Sequence, residues 1–168
     1  MPKIIENLPQ RLVEEARRQI AESGYSAMTV RSVAKGCGVG VGTVYNYYPS
    51  KDALVAAFML SDWNACMEPV RSCAAAATEP EAVLRAMYDG LRKFLRLHEA
   101  IFRDEAAAVS FSGSGSRYHS LLRQQLAQPV RKFCRDDFTA EFLAESMLAW
   151  TVEAAPVDDL IALLLRLF

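Results

Sequence analysis

The chain has 168 residues, is 52% hydrophobic and carries a net charge of −1, so it holds one or two domains with a real core and is not a wholly basic nucleic-acid coat. Cys37, Cys66, Cys73 and Cys134 form neither a C-x-x-C pair nor a metal-finger spacing, which leaves no metal site and no cofactor to expect. The first residues lack the apolar core of a leader and no run reaches the ~18 apolar residues of a membrane span, so a cytoplasmic protein with reduced thiols and no membrane partner is expected.

Helical patterning runs through the whole sequence, and no strand-like alternation is sustained. Asn7 can cap a first helix with Pro9 in its first turn, Leu12, Val13, Ala16 and Ile20 recur at helical spacing, and Gly24 ends it in a left-handed cap. Thr29 can cap a second helix with Val30, Val33 and Ala34 inward. A turn at Gly36-Cys37-Gly38 follows, with Val39 pinning it to the core. A third helix covers about Val41 to Tyr47, and Pro49 stops it. Ser50 can cap a long fourth helix, about Lys51 to Ala76, in which Pro69 predicts a kink. A fifth opens at Thr78-Glu79-Pro80-Glu81 and reaches about His98, and a sixth covers Glu99 to Phe111. Residues 112–116, Ser-Gly-Ser-Gly-Ser, read as a flexible break. Further helices span Tyr118 to Arg135, about Phe138 to Glu153, and Val157 to Phe168. The fold class is therefore all-α: a three-helix head over 1–50 containing a helix-turn-helix, and a helical body over 51–168. Residues 1–52 hold seven basic and five acidic side chains and the remainder twelve and fifteen, a mildly basic head on an acidic body.

The second and third helices, joined by a tight glycine turn, have the layout of a DNA-binding helix-turn-helix. Counting from Val41, the outward positions are Val41, Gly42, Thr43, Tyr45, Asn46 and Tyr47, while Val44 and Tyr48 turn inward to join Val30, Val33, Ala34 and Val39 in the core. Asn46 suits bidentate pairing with adenine, and Thr43 suits a base, a phosphate or a thymine methyl. Val41 offers apolar contact alone, and Arg31 reaches a guanine or a phosphate. Tyr45, Tyr47 and Lys51 suit phosphate oxygens, Tyr45 serving equally well in packing, and Lys51 lies at a helix amino-terminus where the dipole already favours anions. Thr29 can cap and bind phosphate at once.

Gly24-Tyr25, Thr29-Val30, Val33-Ala34, Gly38-Val39 and Gly42-x-Val44-Tyr45-x-Tyr47-Tyr48-x-Ser50-Lys51-Asp52-x-Leu54 resemble the amino-terminal domain of the tetracycline-repressor (TetR) family of bacterial regulators, without a gap over about 50 residues. The resemblance implies phosphate contacts at Thr29, Thr43, Tyr47 and Lys51 and base contacts mostly on the third helix. Two positions depart from the family pattern. Gly40 stands where Ser or Thr is usual, removing a side-chain cap worth ~1 kcal/mol. Val41 stands where a polar or basic residue is common. A recognition helix of low intrinsic stability, modest affinity and an A·T-tolerant site are expected.

The resemblance also implies a small-molecule site among the middle helices. A soft aromatic lining would suit a small hydrophobic effector, and Trp63, Met67, Met87, Phe94, Phe102, Tyr118 and Trp150 are the residues a pocket would draw on, each also suited to plain core packing. Phe142, Leu143, Met147, Leu148 and Trp150, with Leu160, Ile161, Leu163, Leu164, Leu165, Leu167 and Phe168, make the last two helices too apolar for one chain. A two-fold four-helix interface would cover them and give a homodimer able to meet a palindromic operator on double-stranded DNA. Cys66 and Cys73, seven apart, read as core or as a thiol sensor. The spaced glycines 36–42 follow a helix rather than a strand and are no dinucleotide loop. His98 and His119 are isolated polar residues, Asp136-Asp137 and Asp158-Asp159 are helix-start acids, and no constellation supports catalysis, so the chain is expected not to be an enzyme. A transcriptional regulator, in the first instance a repressor, is expected. The other class is a helical interaction module with a degenerate, non-DNA-binding head.

Overall fold

A computed structural model describes residues 6–111, 117–153 and 156–168. Among the described residues every regular element is helical: α1 Leu8–Ser23, α2 Val30–Cys37, α3 Val41–Tyr47, α4 Lys51–Ala76, α5 Pro80–Leu97, α6 Glu99–Phe102, α7 Glu105–Phe111, α8 Arg117–Val130, α9 Asp137–Val152 and α10 Val157–Leu164. Short 3-10 turns extend α8 (Arg131–Phe133) and α10 (Leu165–Leu167). The expected break at 112–116 lies outside the described residues. By packing, two compact units form: one from the described residues of Met1–Asp62 and His98–Ser110, the other from those of Trp63–Leu97 and Phe111–Phe168. The first therefore adds the start of α4 and the α6–α7 segment to the three head helices.

In the first unit, α1 buries Leu12, Ala16 and Ile20 on one face and packs on α2, which buries Val30, Val33, Ala34 and Cys37. The second helix begins on a full capping box. Thr29 Oγ1 accepts from the Ser32 amide at 3.0 Å and Ser32 Oγ accepts from the Thr29 amide at 3.1 Å. It runs through Cys37 rather than stopping at Gly36, and Gly38, at φ 70 and ψ 32, supplies the left-handed cap. Gly36 lies against α1: a Cβ there would lie 2.1 Å from Glu15 Oε1, so that flexible side chain would have to move aside. Cys37 takes the core place expected for Val39, which is half-buried, as is Tyr48.

Other helix ends differ from expectation. Asn7 sits at φ 55 and makes no side-chain cap, and Gly24 ends α1 at φ 85 and ψ 164, outside the left-handed helical region. The expected helix 99–111 is two, because Asp104 Oδ1 accepts from the amides of Ala106 and Ala107 at 3.0 and 3.2 Å and starts a new helix there. Helix α8 ends at Val130 instead of Arg135, and Asp136 caps α9 through the Thr139 amide at 2.7 Å. Helix α10 ends at Leu164 instead of Phe168, and Asp158 in its first turn caps nothing; it pairs with Arg85 at 2.8 Å. Ser50 does cap α4, accepting from the Ala53 amide at 3.0 Å.

In the second unit, α4 continues through Pro69, and Arg71 Nη2 donates to the Asn64 carbonyl at 2.9 Å one turn before the proline. Helices α4 and α5 meet at Gly90, where a Cβ would lie 2.7 Å from Met67 Cε and 3.0 Å from the Cys66 carbonyl. Helix α8 packs on α9, and α5 on both α9 and α10, around Leu84, Met87, Leu126, Leu143, Met147 and Ile161. Cys66 is buried and Cys73 half-buried.

Candidate nucleic-acid interface

Helix α3 is a seven-residue helix anchored by one fully buried residue, Val44. Its start has no side-chain cap, because Gly40 has no side chain to give, so neighbouring packing holds the helix in place. With Val44 inward, Tyr45 and Tyr47 stand 50% and 49% exposed, and Gly42 and Asn46 are exposed with them. Val41 and Thr43 are half-buried. Arg31 is exposed on the first turn of α2. Thr29, exposed at the start of α2, accepts its capping bond and so keeps its own hydroxyl proton for another acceptor. The structure thus brings Thr29, Arg31, Val41, Thr43, Tyr45, Asn46 and Tyr47 onto α2 and α3 of one unit.

Lys51 is held differently. Its Nζ donates to the Tyr25 carbonyl at 2.5 Å and lies 4.0 Å from the centroid of the Tyr25 ring. Burial pushes its ammonium below the usual lysine range, against the pull of Asp104 and Asp52. The Tyr25 hydroxyl donates to Asp52, so the first two residues of α4 grip one tyrosine between them.

A partly buried charge cluster lies in the same unit. Arg17 of α1 donates to Asp62 of α4 twice, at 2.5 and 3.0 Å, and His98 Nε2 lies 3.2 Å from the same carboxylate. His98 is 2% exposed, stacked on Phe58, and Arg17 covers that ring at 5.0 Å. Burial lowers the His98 pKa to about 4, with Asp62 raising and Arg17 lowering it. His98 is therefore no isolated surface residue. Asp104 has a second role too: Oδ2 accepts from the Ser26 amide at 3.0 Å and the Ser26 hydroxyl at 2.6 Å. Sequence patterning misses both clusters, since the partners lie 45 and 78 residues apart. The aspartate ahead of Glu105 and a run of alanines was the one local sign, as a helix start.

The seven residues expected around an effector do not share one environment. Trp63, Met67, Met87 and Phe94 are buried in the second unit, with Trp63 and Phe94 edge to face at 5.2 Å. Trp63 Nε1 donates to Gln125 Oε1 at 2.5 Å. Tyr118 is half-buried on α8, and Trp150 is 52% exposed. Phe102 is half-buried in the first unit. A groove of about 450 Å³ along α4 and α8 is lined by Asn64, Arg71, Ala74, Ala75, Gln125, Gln128, Pro129 and Lys132, none of them among the seven.

Residues 12–58 match the family model described as bacterial regulatory proteins, tetR family. UidR of Escherichia coli, an HTH-type transcriptional regulator, is 33% identical over 107 residues, 64% of this chain and 51% of UidR. The chain thus spans about half the length of that relative. KstR of Mycolicibacterium smegmatis, an HTH-type transcriptional repressor, is 24% identical over 162 residues, covering 89% of this chain and 79% of KstR. The crystal structure of Thermus thermophilus FadR, a repressor in complex with lauroyl-CoA, superposes with a TM-score of 0.60 at 21% identity, over 95% of this chain and 92% of that one. At that identity the likeness is one of fold.

Proposed function

We propose, from the match of residues 12–58 to the tetR family of bacterial regulatory proteins, that the chain is a transcriptional repressor whose homodimer binds a palindromic operator and is released by a small hydrophobic effector. The observation that carries the DNA-binding part is the outer face of α3. Two half-exposed tyrosines and Asn46 project from a helix fixed by Val44. Phenols and an amide on a short exposed helix match phosphate oxygens and adenine edges. Thr29, Thr43, Tyr47 and Lys51 serve as phosphate contacts, and Arg31, Val41, Tyr45 and Asn46 face bases or the backbone. Lys51 must leave the Tyr25 carbonyl, or reach DNA with another of its three protons, to do so.

The dimer is supported by Phe138, Phe142, Trp150 and Val152 on α9 and Leu163 on α10, all exposed in the single chain. A second copy of these helices would bury them, and two heads one helical turn of DNA apart, about 34 Å, would meet two half-sites. The effector is proposed as aliphatic, with Trp63, Met67, Met87, Phe94, Tyr118 and Trp150 as candidate contacts on the second unit and Phe102 on the first; the fold-mate holding lauroyl-CoA supports that choice. No catalytic role enters this reading. An interaction module with a degenerate head remains the competing class, favoured by the missing side-chain cap at Gly40 and by the tied-back Lys51.

Selection of genomic DNA fragments on the purified protein, beside a Tyr47→Ala/Lys51→Ala control, separates the two. A palindromic sequence enriched by the wild type and lost in the control is the expected result. No enrichment from a folded dimer would transfer the weight to the interaction module.

A further inference from the structure

We infer that Asp104 is a positioning residue for the DNA-reading helices: its carboxylate starts α7 with one oxygen and holds the loop ahead of α2 with the other. This rests on the DNA-binding reading above, and it adds a residue that neither the helix-turn-helix pattern nor the match over residues 12–58 contains.

The geometry divides the work between the two oxygens. Oδ1 accepts from the Ala106 and Ala107 amides, the first-turn donors of α7. Oδ2 accepts from the Ser26 amide and the Ser26 hydroxyl. Four donors on one carboxylate keep it ionised, and its pKa lies below the usual aspartate range, with the Ser26 hydroxyl as the largest cause. Hydrogen bonds to a charged acceptor are the strong kind, even where water competes.

Ser26 lies three residues before Thr29, the cap of α2. Of the residues around it, Tyr25 and Met28 are anchored by burial in the core, whereas Ser26 is exposed. Tyr25 is gripped by Lys51 and Asp52, and Met28 donates back to the Tyr25 carbonyl at 3.2 Å. Asp104 therefore holds the loop from outside the head, on a segment joined directly to the end of α5. With α3 lacking a side-chain cap, the angle at which α2 leaves this loop bears, in this proposal, on where Tyr45, Asn46 and Tyr47 point, beside the Gly38 turn and the Val44 anchor. Breaking the Asp104–Ser26 bonds frees that angle, and the affinity for an operator falls with it.

Asp104→Asn isolates the loop contact. Asparagine caps a helix as well as aspartate does, so Oδ1 can keep α7, but its NH2 then faces the Ser26 amide N–H donor to donor, and only the Ser26 hydroxyl can turn to accept from it. In the full-length protein, the Ser26 amide should exchange at least tenfold faster with deuterium while far-UV helicity is unchanged. Affinity for the selected operator should fall at least fivefold by fluorescence anisotropy. Ser26→Ala, which removes one of the two donors, should give a smaller loss of the same kind. Unchanged exchange at Ser26 would overturn the inference, and so would faster exchange with operator affinity within twofold of wild type. A wild-type protein that selects no DNA would overturn the functional half alone; a Ser26 amide that still responds to Asp104→Asn would then place the failure in the DNA-binding reading and not in the contact.

Discussion

His98 should make the first unit acid-sensitive. Its imidazole is buried beside Asp62, Arg17 and Phe58, and burial holds its pKa near 4 against an ordinary value of 6.5. The unfolded chain therefore takes up a proton at a pH where the folded chain does not. Stability is complete above about 6.5 and falls as the pH drops from there towards about 4. At pH 5 an unfolded histidine is almost fully protonated and the folded one about one-tenth so, which corresponds to a loss of about 2 kcal/mol, out of about 3 kcal/mol once both states are charged. Asp62 does not reverse the sign, because burial outweighs its attraction and the neighbouring Arg17 charge also opposes protonation. Urea unfolding followed by circular dichroism, at one protein concentration and at pH 7.5, 6.0 and 5.0, measures the effect. The His98→Gln variant removes this proton and keeps every other titrating group, so the wild type should lose about 2 kcal/mol more than the variant between pH 7.5 and 5.0. Parallel losses in the two proteins would refute the reasoning, and would mean that His98 is already charged on Asp62 at neutral pH.

Gly42 and Gly90, both inside helices, should respond oppositely to alanine. A Cβ at Gly42 meets nothing within 4 Å, so Gly42→Ala should stabilise α3 by up to ~1 kcal/mol in thermal denaturation. Gly90→Ala gains the same propensity but drives a Cβ against Met67 and the Cys66 carbonyl, an overpacking cost of roughly 1–3 kcal/mol, so the midpoint should drop. Thr29→Ala should cost about 1 kcal/mol by removing the acceptor of the Ser32 amide, visible in chemical denaturation, and should weaken DNA binding by more than that if the same hydroxyl meets a phosphate. Phe142→Glu and Trp150→Glu should weaken self-association at least tenfold in sedimentation equilibrium while leaving helicity intact, since both side chains are exposed in the single chain.

The head shows how one short segment is held from several directions. Thr29 and Ser32 fix the start of α2 locally, Gly38 fixes its end, and Val44 fixes α3. The loop between α1 and α2 has no such local solution. It depends on Lys51 and Asp52 from α4 and on Asp104 from the α6–α7 junction. Lys51 therefore has two claims on it, as a clamp on Tyr25 and, under the proposed function, as a candidate phosphate ligand.

By itself the sequence determined the helical class, the order of the long helices and the placement of the helix-turn-helix. Those features depend on neighbours within a turn or two: the Thr29–Ser32 box, the glycine after Cys37, the inward row Val30, Val33, Ala34 and Val44, and the caps Ser50 and Asp136. Of the apolar residues expected to exceed one chain's needs near the carboxy-terminus, Phe142, Trp150 and Leu163 are exposed, while Leu143, Met147, Leu160, Ile161 and Leu164 are buried within the chain itself. Tertiary structure alone decided the rest. It split the helix expected over 99–111 at Asp104, because that carboxylate finds donors in Ser26 as well as in its own first turn. It buried His98 against Asp62 and Arg17, tied Lys51 to Tyr25, and set Trp63, Met67, Met87 and Phe94 in one core while leaving Trp150 in water and Phe102 in the other unit. Each of these depends on a partner tens of residues away, and periodicity carries no record of which distant side chain will supply it.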